Sequence, residues 1–138
     1  MMKQTILIVD DDDVLAQVLS RVLTRQGFIV CHASTAAQAK SRLRECDPGL
    51  ALLDLCLPDG DGLELAHDLR ADNSELPLIL MTAYPLRLRD DPVATEVFER
   101  VLTKPLNLKE LREAVDSAIT PRPASIIKWD GFSIRPSC

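Results

Sequence analysis

Positive charge, paired cysteines and long apolar stretches are all scarce in this chain, and each scarcity removes a class of function. Sixteen lysines and arginines stand against 21 aspartates and glutamates, a formal net charge of -5, so no general basic surface exists to hold nucleic acid or an acidic membrane. Direct nucleic acid binding by this segment is therefore not expected. Histidine occurs only at His32 and His67, and Cys31, Cys46, Cys56 and Cys138 include no Cys-x-x-Cys pair. No zinc-ligand pattern results, and reduced thiols in a cytoplasmic protein are the simpler expectation. Ahead of the four consecutive aspartates 10–13 the only apolar run is residues 6–9, too short for the core of a signal peptide or for a membrane span. Internal repeats and low-complexity tracts are absent. The length, 138 residues, suits one domain, which at this size buries roughly two-thirds of the surface its unfolded chain exposes.

What is present is an alternation of apolar strands and amphipathic helices. After the run at 6–9, Val14, Leu15, Val18, Leu19, Val22 and Leu23 recur at helical spacing, and Gly27 supplies a stop. Residues 28–31 read as a short strand. Ser34 or Thr35 then caps a helix with Ala36, Ala39 and Leu43 on one face, ended by Asp47-Pro48. Residues 50–55 are a nearly continuous apolar run ending beside an acid, as expected of a central parallel strand covered on both faces. A turn at 58–62, a helix carrying Leu63, Leu65, Ala66 and Leu69, and a strand at 78–81 follow. Pro85 and Pro92 interrupt residues 84–96, predicting a short or displaced fourth helix. Residues 97–103 supply the last strand, and Leu108, Leu111, Val115 and Ile119 the core face of a final helix. Five strand-helix units with right-handed crossovers predict a flavodoxin-like doubly wound α/β domain, its five-stranded parallel sheet ordered 2-1-3-4-5. Residues 4–119 form that domain. Residues 120–138, with Pro121, Pro123 and an apolar alternation around Ile126, Ile127 and Trp129, read as a linker or extension.

The ends of four of these strands carry the polar residues of interest: Asp10 and Asp11, Asp54, Thr82 and Lys104. Strand carboxyl ends line one crevice in such a sheet, so the four places converge. Asp10, Asp11 and Asp54 brought close together would repel one another and call for a cation or for raised pKa values. A hard divalent ion such as Mg2+ answers that need, since it takes one or two carboxylates plus water and phosphate oxygens. Two acids for the ion leave Asp54 free as a carboxylate nucleophile toward phosphorus. The Lys104 ammonium and Thr82 hydroxyl would then meet the phosphoryl oxygens. Singly, each residue has a plainer reading: Asp12 and Asp13 as helix caps, Asp54 and Thr82 as turn formers, Lys104 as a solvated cation. Coincidence at four strand ends of one sheet is the weaker explanation.

With these residues in place the chain resembles the receiver domain of two-component response regulators. The resemblance rests on residues 6–12, on Leu53-Asp54-Leu55-Cys56-Leu57-Pro58-Asp59-Gly60-Asp61-Gly62, on Met81-Thr82-Ala83 and on Thr103-Lys104-Pro105, and covers roughly residues 4–119. It implies that Asp54 accepts a phosphoryl group from a histidine kinase or phosphotransfer protein. Mg2+ would be held by Asp11, Asp54 and the Cys56 backbone carbonyl, with Asp10 helping directly or through water, and Thr82 and Lys104 would bind the phosphoryl group. Such a domain is a switch that promotes only its own phosphorylation and dephosphorylation. Its output domain or downstream partner is left open, as is phosphorylation-dependent homodimerisation. Two departures stand out. Val101 occupies a position where receivers commonly carry Tyr or Phe, and the proline-interrupted segment replaces a regular helix that usually meets partners, so an altered output is implied.

Three rival readings each fit part of the pattern. A haloacid-dehalogenase-type phosphohydrolase would use Asp10 and Asp12 in the Asp10-x-Asp12-x-Val14 run, but it needs a later acidic pair at a strand end, whereas Glu110, Glu113 and Asp116 fall on the last helix. A flavin module would want a hydroxyl-rich phosphate loop where four aspartates stand. A receiver-like module that is never phosphorylated is favoured only by Val101 and the irregular segment.

Overall fold

The computed structural model describes residues 4–85 and 96–119. Most of the proline-interrupted segment and all of residues 120–138 lie outside the described residues, so the expectations placed there, the fourth helix and the linker or extension, are not addressed by the fold.

Five parallel strands make the central sheet: β1 (Thr5–Val9), β2 (Ile29–Ala33), β3 (Leu50–Asp54), β6 (Leu78–Thr82) and β7 (Arg100–Thr103). Their order is β2-β1-β3-β6-β7, which is the expected 2-1-3-4-5 arrangement once the two-residue strands β4 (Cys56–Leu57) and β5 (Gly60–Asp61) are set aside. Pairing brings Val9 opposite Leu53, Asp54 opposite Met81 and Thr82 opposite Thr103, so the strand ends finish level with one another. That alignment places the candidate residues along one edge.

Side-chain alternation along each strand sorts the core into two layers. Leu7, Val9, Ala51, Leu53, Leu78 and Leu80 pack with Ala39 and Leu43 of α2 (Ala36–Cys46) and with Leu65, Ala66 and Leu69 of α3 (Gly62–Asp72). Ile6, Ile8, Leu50, Leu52, Ile79, Met81 and Leu102 pack on the opposite face with Ala16, Leu19 and Leu23 of α1 (Asp13–Arg25) and Leu111, Ala114 and Val115 of α4 (Leu108–Ile119). Every residue of β3 and β6 is buried, which is why their sequences are continuous rather than alternating. No helix among the described residues is long and apolar enough to cross a membrane.

Local chemistry sets the element boundaries. Asp12 caps α1 by accepting from the Leu15 amide at 3.1 Å, and the helix gives way at Gly27, whose φ of 99° suits glycine. Of the two residues offered as cap for α2, Thr35 serves, accepting from the Gln38 amide at 3.1 Å. Asp47 ends α2 in the left-handed region at φ 46°, a place more often given to Gly or Asn. Asp61 caps α3 through the Leu63 amide at 2.8 Å, and Asn107 receives the Lys109 amide at 2.8 Å as α4 begins.

Three details differ from expectation. The second strand starts at Ile29 and runs to Ala33, because its partner is the full length of β1. The last strand is shorter than residues 97–103: Phe98 turns into the core instead, and pairing with β6 begins with Arg100 opposite Ile79. Most consequentially, the expectation of reduced thiols is corrected at one pair, for Cys31 and Cys46 are joined as a disulfide. No local spacing marks this pair, because it reflects topology: α2 returns over β2, which brings the helix's last residue to the strand. Cys56 takes no part in a disulfide.

The buried middle of β3 should dominate stability. Leu52→Ala is expected to cost about 2–5 kcal/mol in urea unfolding, the range for emptying a packed leucine site, whereas Val101→Ala, at 40% exposed, should stay within about 0.5 kcal/mol.

Candidate functional site

Asp10 follows β1, Asp54 ends β3, Thr82 ends β6 and Lys104 follows β7, so the level strand ends deliver all four to one edge of the sheet. Asp10, Asp54 and Thr82 are buried, while Asp11 is exposed at the rim. One oxygen from each of Asp10, Asp11 and Asp54 can lie within 4.8 Å of the others. The structure thus brings together the three acids predicted from sequence, and it brings the lysine to them. Lys104 Nζ donates to Asp10 Oδ2 at 2.8 Å and stands 3.5 Å from Asp54 Oδ2.

Backbone groups orient these side chains. The Asp12 amide donates to Asp10 Oδ1 at 2.9 Å, leaving Oδ2 for the lysine. The Asp10 amide donates to the Ala33 carbonyl at 3.1 Å, and His32 Nε2–H donates to the Asp10 carbonyl at 2.8 Å, so β2 steadies the loop that carries the acids. The Cys56 amide donates to Asp54 Oδ1 at 3.4 Å, a long contact. The Tyr84 amide donates to Thr82 Oγ1 at 2.9 Å, and the Lys104 amide donates to the Thr82 carbonyl at 2.8 Å. Thr82 is therefore tied both to the loop after β6 and to the loop after β7. The Lys104-Pro105 peptide is cis.

Burial first, and then the neighbouring Asp10 charge, raises the pKa of Asp54 above the ordinary 3.8, with Lys104 and the Cys56 amide opposing the shift. For Lys104, burial works to lower the pKa, but the hydrogen bond and charge of Asp10, joined by Asp54, outweigh it and the net shift is upward. Among the described residues the pocket is short of positive charge: three carboxylates lie together, and one ammonium meets two of them. Oxygen-only donors with excess negative charge fit a hard divalent cation.

Two residues essential to this geometry were missed as such within the Pro58–Gly62 turn. The Ala36 amide donates to Asp59 Oδ1 at 2.8 Å and the Ala37 amide to Asp59 Oδ2 at 3.1 Å, so Asp59 clasps the start of α2. Those two amides hold its pKa low. Gly62 donates its amide to the Leu55 carbonyl at 2.7 Å, and a Cβ there would collide with the backbone of Asp54 and Leu55. The dense Asp and Gly content of that turn was the available signal. Asp12, by contrast, is spent as a helix cap and is not in the acid cluster, which removes the Asp10–Asp12 pairing a phosphohydrolase would need. Beside Lys104, Leu15, Val18, Leu106 and Leu108 line an apolar groove of about 650 Å³.

A doubly wound α/β sheet carrying acids, a threonine and a lysine along its carboxyl edge defines a class of phosphoryl-accepting switches. The chain belongs to the response regulator receiver domain family, which it matches over residues 6–116. It is 35% identical over 109 residues to the probable transcriptional regulatory protein TcrX of Mycobacterium tuberculosis, an alignment covering 78% of this chain and 46% of that relative. The chain thus spans less than half the length of this curated relative. Among solved structures, a CheY-like response regulator receiver domain protein from Methanospirillum hungatei superposes with a TM-score of 0.80 at 27% identity, covering 86% of this chain and 94% of that one. The response regulator protein TrrA from Thermotoga maritima, solved in complex with Mg2+–BeF, gives a TM-score of 0.76 at 28% identity over 83% of this chain and 98% of that one.

An acid whose folded-state pKa is raised costs stability once it ionises; the penalty is absent below its unfolded value near 3.8 and complete above the folded pKa. Asp54→Asn should therefore raise the melting temperature by a few degrees at neutral pH without divalent ions, and the gain should shrink as pH falls toward 3.8. Calorimetric scans across that range check it; a gain that ignores pH would refute the charge explanation.

Proposed function

We propose that this chain is the phosphoacceptor part of a two-component response regulator, with Asp54 as the residue phosphorylated by a histidine kinase or phosphotransfer protein. The observation that carries the reading is Lys104 Nζ held at 2.8 Å from Asp10 and 3.5 Å from Asp54, a cation positioned beside the attacking carboxylate. The Asp54 oxygen would form a bond to phosphorus as the donor's P–N bond breaks, the proton needed by the departing imidazole coming from solvent. Lys104 would then exchange its contact with Asp54 for one with a phosphoryl oxygen, and Thr82 would turn its hydroxyl toward another. That turn withdraws the acceptor of the Tyr84 amide, so the loop after β6 feels the event directly.

Asp10, Asp11 and Asp54, with the Cys56 backbone carbonyl, would hold Mg2+, the ion named with the Thermotoga relative. When bound it would neutralise charge on the phosphoryl oxygens and on the acids together. Hydrolysis of the acyl phosphate at the same site would return the domain to its resting state, so its chemistry serves switching rather than turnover of a substrate. The apolar groove beside Lys104 would be the surface that the phosphodonor protein meets on its approach. A cytoplasmic location fits a partner of that kind.

We further propose that residues 4–119 are the receiver unit and that residues 120–138 are a linker or extension leading toward an output domain, as the greater length of TcrX suggests. Nucleic acid contact would belong to that output domain. A homodimer formed on phosphorylation would be one way for the signal to pass.

Incubation with acetyl phosphate and Mg2+, followed by intact-mass measurement, should add one phosphoryl group to wild type and none to Asp54→Asn. Addition to Asp54→Asn would move the acceptor elsewhere, and no addition to either protein would favour a receiver-like module that is never phosphorylated.

A further inference from the structure

Cys31 in β2 and Cys46 at the end of α2 take no part in the phosphoryl chemistry, yet they are bonded to each other. We propose that this pair is a reversible thiol–disulfide site that clamps α2 to the sheet and, through Asp59, steadies the loop that follows Asp54.

Three observations carry the proposal. First, both cysteines are partly exposed, so a small redox partner can reach the sulfurs. Second, α2 buries only two residues, Ala39 and Leu43, against the sheet, and its ion pairs to α3, Lys40–Asp68 at 2.9 Å and Arg44–Asp72 at 3.5 Å, are well exposed. The disulfide ties the helix to β2, an edge strand, across a sequence separation of 15, so opening it would loosen one helix and leave the sheet interior intact. Third, the opposite end of the same helix holds the phosphoacceptor loop: the Ala36 and Ala37 amides grip Asp59, which lies between β4 and β5 just beyond Asp54. The state of the sulfurs at one end of α2 is therefore linked mechanically to the site at the other.

Oxidation would proceed by exchange with a low-molecular-weight disulfide. One protein thiolate attacks it and expels a thiolate, and the second protein thiolate then attacks the mixed disulfide. One S–S bond forms in the protein, one breaks in the reagent, and two small thiols leave with the two protons and two electrons that the cysteines gave up. A pair of this kind in a compartment that keeps most thiols reduced is a sensor of oxidising episodes. Its effect on the phosphoacceptor loop rests on the function proposed above, while the redox chemistry itself does not.

The full chain, equilibrated with glutathione disulfide or with dithiothreitol, should be alkylated with iodoacetamide and weighed intact, with peptide mapping. The oxidised sample is expected to take up two fewer alkyl groups than the reduced one, with Cys31 and Cys46 recovered as one linked peptide. In parallel hydrogen exchange, residues 36–46 should exchange at least about tenfold faster after reduction while α4 is unchanged. Cys31→Ser should exchange fast in both buffers. Equal alkylation in both buffers, linkage of any other pair, or identical exchange rates would overturn the proposal. Because none of these readouts needs phosphorylation, Asp54→Asn should show the same Cys31–Cys46 linkage and the same acceleration of residues 36–46 on reduction, which separates failure of this inference from failure of the phosphoacceptor reading.

Discussion

Lys104 reaches across the crevice to Asp10 at 2.8 Å and to Asp54 at 3.5 Å, and most of what this domain can do follows from those two contacts. Two buried carboxylates at one sheet edge would otherwise oppose folding, and a single ammonium offsets only part of their charge. The remainder, together with Asp11 at the rim, is an excess of negative charge that a divalent cation fits.

The frame makes this imbalance affordable to maintain. β3 and β6 are wholly buried between two helical layers, so the positions of Asp54 and Thr82 are set by packing rather than by the loops. The loops then supply orientation. The Asp12 amide aims Asp10, His32 braces its carbonyl, and Gly62 lets α3 begin against the backbone of Asp54. Asp59 extends this control outward to α2, and the sulfur bond at the far end of that helix ties it back to β2. Site and scaffold are one network.

Much of this was legible in the residues. Apolar runs at 6–9, 50–55 and 78–81 announced buried parallel strands, and the acids and threonine at their ends, with the lysine after residues 97–103, announced a shared edge, because both signals depend on short-range pattern and on the geometry common to parallel sheets. What escaped were contacts between segments distant in sequence. Cys31 and Cys46 meet only because α2 folds back over β2, and Asp59 reaches Ala36 and Ala37 across a separation of more than 20 residues, which no local pattern encodes. Phe98 shows another limit: within an apolar run, hydropathy alone does not separate a core residue before a strand from a residue within it. The family resemblance carried site residues that matched its motifs, but it was silent on the sulfur pair, which lies outside them.

The most direct test of the central claim, that one shared acid pocket binds a divalent ion, is a Mg2+ titration followed by amide resonances in solution. The account expects the amides of Asp12 and Cys56, which donate to Asp10 and Asp54, to shift together along one saturable curve, and expects that curve to be lost in Asp10→Asn. Shifts that never saturate, or that follow separate curves at the two loops, would mean that the carboxylates act apart, and the account would be contradicted.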